Sequence, residues 1–295
     1  MLRILLFLAT NFAVLMLISI VFKVFGIEGL LQNNGVDLNY SALLLMSAVI
    51  GFGGAFISLA LSKWTAKHAM GVRIIEQPRN HKEAWLLNTV HAQAAAVGIS
   101  APEVGIFDAS EANAFATGMN RNNALVAVST GLLKQMNERE VEAVLGHEVS
   151  HISNGDMVTL GLIQGVVNTF VIFFARIIGY FVDRVILKNE RELGIGYYVT
   201  SIIAQIFLSL LATMIVMWFS RHREYRADAG GAQLAGRDNM IAALKRLQAG
   251  AASHDLPGEM ATLGIAGRKA LGLTRLFLSH PPLEERIASL QQRQI

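Results

Sequence analysis

The residues best suited to catalysis in this chain form the sequence His147-Glu148-Val149-Ser150-His151, which has the pattern H-E-x-x-H. In a helix, His147 and His151 lie on one face, one turn apart, so both imidazoles can bind the same metal ion. Zinc is the expected ion. Glu148 follows the first ligand directly, where its carboxylate can take a proton from a water at the metal's open position. The motif therefore predicts metal-assisted hydrolysis.

The sequence before the motif favours the helix that this geometry requires. Asn137 is a favourable N-cap residue, and Glu140 three residues later completes a capping box. Apolar side chains then follow at helical spacing, at Val141, Val144, Leu145 and Val149. The alternative, an ordinary amphipathic helix with two surface histidines, explains this context less well.

The composition indicates a membrane protein. Hydrophobic residues make up 53% of the chain and charged residues 16%, with a mean hydropathy of +0.44. The absence of cysteine excludes disulfides and any Cys-ligated metal. The net charge is only +3, and the basic residues flank apolar runs. We therefore attribute them to contact with a lipid bilayer and expect no nucleic-acid partner.

Four apolar runs predict two transmembrane helical hairpins. Residues 2–22, interpreted as an uncleaved anchor, and residues 42–61 form the first hairpin, and residues 157–182 and 193–220 form the second. Arg176 makes the third of these spans less certain than the others, because a charge near the centre of a bilayer is costly.

The basic residues also orient the chain. Arg3 lies near the start of the first run, and Lys63 and Arg73 follow the second, so both ends of the first hairpin are expected in the cytoplasm. The arms of the second hairpin have similar lengths, so the chain that leaves the motif at Asp156 should return to the same membrane face near Arg221. The prediction is a mainly α membrane protein whose catalytic domain is discontinuous: residues 1–62 and 157–220 form the hairpins, and residues 63–156 and 221–295 form the two parts of the domain.

A small sheet is predicted in the soluble segment before the motif. Residues 84–97 have a helical composition, whereas Glu103–Phe107 and residues 124–128 have the composition of short strands. Residues 113–118 form a turn-to-strand stretch between them, and an exposed edge there can bind an extended peptide by strand addition. We therefore expect a sheet beside the helix that carries the motif.

A catalytic zinc needs a further protein ligand, and two histidines with one glutamate form a known set. The second hairpin returns the chain to the level of the motif, where Glu224 is the predicted third ligand. Asp228, one helical turn later, is placed to accept the other ring N–H of a liganding histidine. The alternative is a solvated basic flank of a transmembrane helix. That alternative describes Arg221 and Arg223 but leaves the spacing of the two acids unexplained.

One further histidine is a candidate for catalysis. His280 precedes a Pro-Pro turn, where it acts either as a hydrogen-bond donor to the tetrahedral oxyanion or as a structural cap, and both alternatives stay open. The other five have no partner at ligand spacing and are interpreted as surface or packing residues: His68, His81, His91, His222 and His254.

Two other classes of zinc protease are excluded by the sequence. A metzincin requires glycine and histidine three and six residues after the second motif histidine, and Asn154 and Met157 stand there. An intramembrane metalloprotease would carry its motif inside an apolar span, whereas Glu138 and Asp156 are among the charged residues that flank this one. The site is therefore predicted at or just outside the membrane surface.

Four motifs in order resemble those of the M48 family of zinc metallopeptidases: N-A-F-A-T-G at residues 113–118, H-E-V-S-H-I-S-N-G-D at 147–156, S-R-H-R-E-Y-R-A-D at 220–228 and H-P-P-L-E-E-R at 280–286. The resemblance covers almost the whole chain. It implies a zincin-like (gluzincin) α+β catalytic domain with one zinc ion per chain, held by His147, His151 and Glu224, and Glu148 as the general base. It also implies a substrate cleft along Asn113, Ala114, Phe115 and Ala116.

The same resemblance implies a cellular role. A protein of this kind would lie in the bacterial inner membrane as a multi-pass protein, with its N-terminus, C-terminus and active site in the cytoplasm. Its substrates would be misfolded or damaged membrane proteins, cleaved during quality control and the stress response.

Two non-protease hypotheses are weaker. In the first, the chain is a membrane scaffold in which a structural zinc ties the second hairpin to the soluble domain. A structural zinc has four protein ligands, which would require His222 or His280 to turn toward the metal. In the second, the chain is a transporter, which is disfavoured because the spans carry little charge apart from Arg176.

Overall fold

The computed structural model describes residues 39–190, 193–251 and 276–292. The predicted span at residues 2–22 lies outside this part of the chain, as do residues 252–275. The elements are, in order, α1 (Tyr40–Ala69), β1 (Arg73–Ile74), α2 (His81–Ala96), β2 (Glu103–Phe107), β3 (Ala114–Asn120), β4 (Asn123–Ser129), α3 (Thr130–Gln135), α4 (Glu138–Asn154), α5 (Asp156–Phe181) with a π-helical turn (Val182–Ile186), α6 (Ile195–Ala235), α7 (Arg237–Ala251) and α8 (Leu283–Gln292). The prediction of a mainly α protein with a small sheet is confirmed.

Within the described residues, three helices are long and apolar enough to cross a membrane: Tyr40–Ala69, Asp156–Ile186 and Ile195–Ala235. They correspond to the second, third and fourth predicted spans. The third predicted span is α5, which continues as one helix through Arg176 and ends five residues later. Because the uncharged run before Arg176 is 19 residues long, or about 28 Å at about 1.5 Å per residue, a membrane span that consists of this run would end next to the arginine.

The four strands form one mixed sheet in the order β1-β2-β4-β3. The outer pairs, β1 with β2 and β3 with β4, are antiparallel, and the central pair of β2 and β4 is parallel. Six of the seven residues of β4 are buried, from Ala124 to Ser129, as expected of a central strand covered on both faces. The predicted strands at Glu103–Phe107 and residues 124–128 are confirmed, and β3 forms an edge of this sheet.

The chain forms two compact units. The first contains the described residues up to Phe56 together with Leu162–Thr213, and the second contains Ile57–Gly161 together with the described residues from Met214 onwards. The main core of the second unit is formed by apolar side chains from α2, the sheet, α4, α7 and α8, among them Leu86, Val126, Val144, Leu244 and Leu290. This core holds α4, the helix with the H-E-x-x-H motif, against the sheet and against α7.

Candidate metal centre

Helix α4 begins and ends as its sequence predicts. The Asn137 side chain accepts a hydrogen bond from the Glu140 N–H, and the Glu140 carboxylate accepts one from the Asn137 N–H, both at 3.0 Å. The helix stops at Gly155, whose φ of 70° is left-handed and therefore favours glycine. Helix α5 starts at the next residue, Asp156, so the change of direction places this carboxylate beside the last turn of α4.

Glycines allow α4 and α6 to approach closely. A β-carbon on Gly146 would lie 3.2 Å from the Cα of Gly231, and one on Gly230 would lie 2.7 Å from the Ser150 Cβ. Both glycines of α6 lie within two turns of Glu224 on the same helix. This contact brings the acidic residues of α6 to the histidines of α4.

Three donor groups converge at this helix contact. The Nε2 atoms of His147 and His151 are 3.1 Å apart, and the Glu224 carboxylate oxygens lie 3.6 Å from the first and 3.3 Å from the second. A tetrahedral ion with bonds of about 2.0 Å separates its ligand atoms by about 3.3 Å, so the spacing fits a zinc-sized ion. All three side chains are buried or nearly so. The structure therefore brings together the three residues that the sequence predicted as ligands, in a geometry that suits a metal.

Each histidine is held by a carboxylate on its outer nitrogen. The Nδ1 of His147 lies 3.0 Å from Asp228, and the Nδ1 of His151 lies 2.8 Å from Asp156. An ionised carboxylate only accepts hydrogen bonds, so each Nδ1 carries the proton and each Nε2 presents its lone pair to the common point. Asp228 lies where the sequence placed it, whereas Asp156 was missed. Its position directly after a helix-ending glycine is the signal for this second carboxylate.

A fully buried arginine lies behind the centre. The Nε and Nη2 of Arg286 donate to the two oxygens of Asp228 at 2.8 and 2.6 Å, and its Nη1 lies 3.4 Å from Glu224. Burial alone would raise the pKa of Asp228, but the charge and hydrogen bonds of Arg286 outweigh it and lower that pKa to about 2. The same pairing raises the pKa of Arg286 despite its burial. Sequence reasoning gave Arg286 no role, although it closes the motif at residues 280–286.

His280 contacts the predicted third ligand, Glu224. Its Nδ1 lies 2.7 Å from the Glu224 carboxylate, a partner that neither the oxyanion nor the capping hypothesis anticipated. Burial opposes the ionised form of Glu224, but the charge of His280 and the hydrogen bonds from His151 and His280 hold its pKa well below the usual range. Glu224 is therefore an ionised carboxylate, the form that binds metal.

The surroundings of the His151 ring also favour a positive charge. Burial lowers the pKa of His151, but its hydrogen bonds to Asp156 and Glu224 outweigh this and raise the pKa to about 10. The charge of Glu148, which is 4% exposed, contributes to the same shift. The carboxylates around the centre thus stabilise a positive charge at the His151 Nε2, where a proton and a metal ion would compete.

The predicted substrate residues lie next to the motif helix. Asn113 is buried and precedes β3, which contains Ala114, Phe115 and Ala116 and packs against α4. The side-chain Oδ1 of Asn113 is buried and has no hydrogen-bond partner. Strand β3 thus packs against the helix that carries His147.

A closed, four-ligand site is not formed by the described residues. The only group of three or more metal-binding side chains among them is His147, His151 and Glu224. His280 is hydrogen-bonded to Glu224, and the exposed His222 is hydrogen-bonded to the backbone oxygen of Trp218. Three protein ligands with an open position are typical of a catalytic site rather than a structural one.

Comparisons with known proteins agree with this geometry. The model of peptidase family M48 matches residues 80–294. The chain is 60% identical over 292 residues to the Protease HtpX of Thioalkalivibrio sulfidiphilus, covering 99% of both chains, and 60% identical over 289 residues to the Protease HtpX homolog of Nitrosomonas europaea, covering 98% of both. The crystal structure of S. mikatae Ste24p has the same fold, with a TM-score of 0.61 at 17% identity, over 94% of this chain and 67% of that one. The sequence, the fold and the three-donor centre lead to one assignment: the chain belongs to peptidase family M48 and is a membrane metalloprotease.

Proposed function

We propose that this metalloprotease is a zinc endopeptidase that cleaves the cytoplasmic segments of misfolded or damaged membrane proteins. We place it in the bacterial inner membrane, with both termini and the active site in the cytoplasm. The observation that carries the proposal is the convergence of two histidine Nε2 atoms and one carboxylate at 3.1–3.6 Å, with both histidine tautomers set by aspartates.

The donor set favours zinc among the common metals. Two imidazole nitrogens and one carboxylate oxygen form a known catalytic zinc set, whereas magnesium and calcium prefer oxygen ligands alone. His147, His151 and Glu224 would hold one ion per chain. When bound, zinc would lower the pKa of a coordinated water to about 7 and polarise the peptide carbonyl.

Glu148 is the proposed general base. Its neighbour His147 is a predicted ligand, and the charge of its buried carboxylate acts on His151 and Arg286, which supports this role. The carboxylate accepts a proton as the water oxygen bonds to the peptide carbonyl carbon. It then delivers that proton to the amide nitrogen as the carbon–nitrogen bond breaks.

The contact between His280 and Glu224 limits how His280 can act on the oxyanion. Because its Nδ1 donates to Glu224, a neutral His280 ring presents only a lone pair at Nε2. We propose that His280 positions Glu224, and that it stabilises the oxyanion only when the ring is doubly protonated.

The edge strand β3 is suited to bind an extended, unfolded substrate. Strand addition uses backbone hydrogen bonds, which every extended peptide can make, and therefore places few demands on sequence. We propose that Asn113, Ala114, Phe115 and Ala116 bind the substrate in this way beside α4. A polypeptide that has lost its fold satisfies this requirement, whereas a folded domain does not.

Parallel measurements on Glu148→Ala and the wild type test the mechanism. We expect both proteins to bind one zinc ion, measured by elemental analysis, and only the wild type to cleave unfolded casein, with a loss of at least about a hundredfold in the variant. Glu142→Ala, on the same helix, is the matched control and should cleave normally. A fully active Glu148→Ala protein would exclude this general base.

The chain has no cysteine, so single cysteines can report its orientation. Glu190→Cys lies in the loop between α5 and α6, and Asp238→Cys lies in α7; both native residues are exposed. In spheroplasts, a membrane-impermeant maleimide should label the first at once and the second only after lysis. The reverse labelling pattern would place the active site outside the cytoplasm.

A further inference from the structure

Arg176 is a positive charge in an apolar helix without an anionic partner among the described residues. Its Nη1 donates to the Tyr197 hydroxyl at 3.1 Å, and its Nε is buried and has no hydrogen-bond partner. A buried guanidinium N–H without a partner is costly, and a charged group more so. The side chain therefore has an unused donor that suits an anion.

The position of Arg176 restricts what this anion can be. The uncharged run of residues 157–175 ends directly before it, and that run is about as long as the hydrocarbon core is thick. Arg176 is thus expected at the level of the lipid headgroups. Tyr197 and Tyr198, in the first turn of α6, and Tyr180, near the end of α5, are typical of the aromatic belt at this depth.

A second guanidinium belongs to the same cluster. The Arg184 guanidinium carbon lies 5.8 Å from the centre of the Tyr180 ring, and the Tyr180 and Tyr197 rings are 5.6 Å apart. The nearby carboxylate of Asp183 is already engaged, because it accepts hydrogen bonds from the Asn189 side chain and the Gly194 N–H. Two guanidiniums and one carboxylate leave one net positive charge, which one phosphodiester group neutralises.

We propose that Arg176, Arg184 and Tyr197 form a binding site for the phosphate of an anionic phospholipid headgroup. The guanidinium fork of arginine matches two phosphate oxygens, and the tyrosine hydroxyl offers a further hydrogen bond. A lipid brings this phosphate to the depth of Arg176 and covers the flanking apolar residues with its acyl chains, which a soluble anion does not. The site is separate from the metal centre and does not depend on the proposed peptidase mechanism.

Native mass spectrometry of the full-length, metal-loaded protein in detergent tests the proposal. Phosphatidylglycerol and phosphatidylcholine are titrated separately, and inorganic phosphate is added as a competitor. We expect wild-type protein to bind one phosphatidylglycerol at least tenfold more tightly than phosphatidylcholine, with no competition by inorganic phosphate. Arg176→Gln should lose this preference. Lys188→Gln, which removes an exposed charge from the loop between α5 and α6, should keep it.

The alternative results overturn the proposal. Equal phosphatidylglycerol binding by Arg176→Gln and the wild type would show that the arginine is not part of a lipid site, and competition by inorganic phosphate would indicate a general anion site. Should Arg176→Gln fail to give monodisperse protein, Arg184→Gln takes its place, because Arg184 lies in the π-helical turn that follows α5. Unchanged lipid preference in Arg184→Gln would then refute the cluster.

Discussion

At the scale of single residues, we expect the carboxylate behind each histidine to affect how tightly the centre holds a metal. Asp228 has two such tasks, since it accepts the His147 Nδ1–H and neutralises the fully buried Arg286. Asn at this position can still accept from the imidazole, but it cannot offer two charged oxygens to the guanidinium. We therefore expect Asp228→Asn to weaken zinc binding by about 10- to 100-fold.

Competition with a chromogenic chelator measures this loss directly. Asp238→Asn, an exposed aspartate on α7, is the control and should bind zinc like the wild type. An Asp228→Asn protein with wild-type zinc affinity would show that the outer carboxylate and its arginine do not support the ligand.

Sequence alone predicted the three donors, the general base and one outer carboxylate, but it missed the contacts that His280 and Arg286 make with the centre. His147, Glu148 and His151 follow from helical periodicity, and Asp228 from its spacing to Glu224. The contact of His280 with Glu224 spans 56 residues, and that of Arg286 with Asp228 spans 58. No local pattern encodes either contact, because each depends on where α8 and the segment before it pack.

At the scale of elements, the contact between α4 and α6 sets the distance between Glu224 and the two histidines of the motif. Gly230 faces Ser150, whose side chain occupies the space that a β-carbon would need. Gly230→Ala should therefore push the helices apart, destabilise the fold by about 1–3 kcal/mol and weaken zinc binding, because Glu224 moves away from the histidines. Thermal unfolding and the chelator assay report the two effects.

Gly54→Ala provides the matched control, since a β-carbon at this helical glycine meets nothing within 4 Å. It should leave both the melting temperature and zinc affinity unchanged. If Gly230→Ala also behaved like the wild type, the close approach of the two helices would not control the ligand spacing.

Elements with a strong local signal were predicted well. The strand Glu103–Phe107 has the bounds that the sequence gives, and α4 begins after its predicted cap. The two-residue strand β1 was not predicted, because Arg73 and Ile74 are too few for an alternating pattern. The sequence also predicted an apolar span followed by a ligand segment, but not that α6 is one helix of 41 residues. Nothing breaks the helix at Arg221, and hydropathy changes there without any change in backbone geometry.

At the scale of the whole molecule, metal binding and membrane insertion depend on different sets of contacts. The donors and their aspartates belong to the second unit, whereas packing within the first rests on apolar contacts such as those of Tyr40, Leu43 and Phe173. Removing the metal leaves Glu224 buried beside His147 and His151 without the ion that their geometry suits. We therefore expect metal removal to reduce protection against hydrogen exchange locally in the second unit and to leave the first unit unchanged.

Hydrogen–deuterium exchange of the zinc-loaded and chelator-treated protein in the same detergent tests this expectation. Peptides from α4 and from residues 221–228 should lose protection when zinc is removed, because the ion no longer joins the two helices. Peptides from residues 40–56 and 162–181 should exchange at the same rate in both samples. Unchanged protection in α4 and residues 221–228 would mean that Asp156, Asp228 and Arg286 alone hold the centre together, whereas loss of protection throughout would mean that zinc stabilises the membrane helices as well. Restoring zinc should return the original pattern if the change is local and reversible.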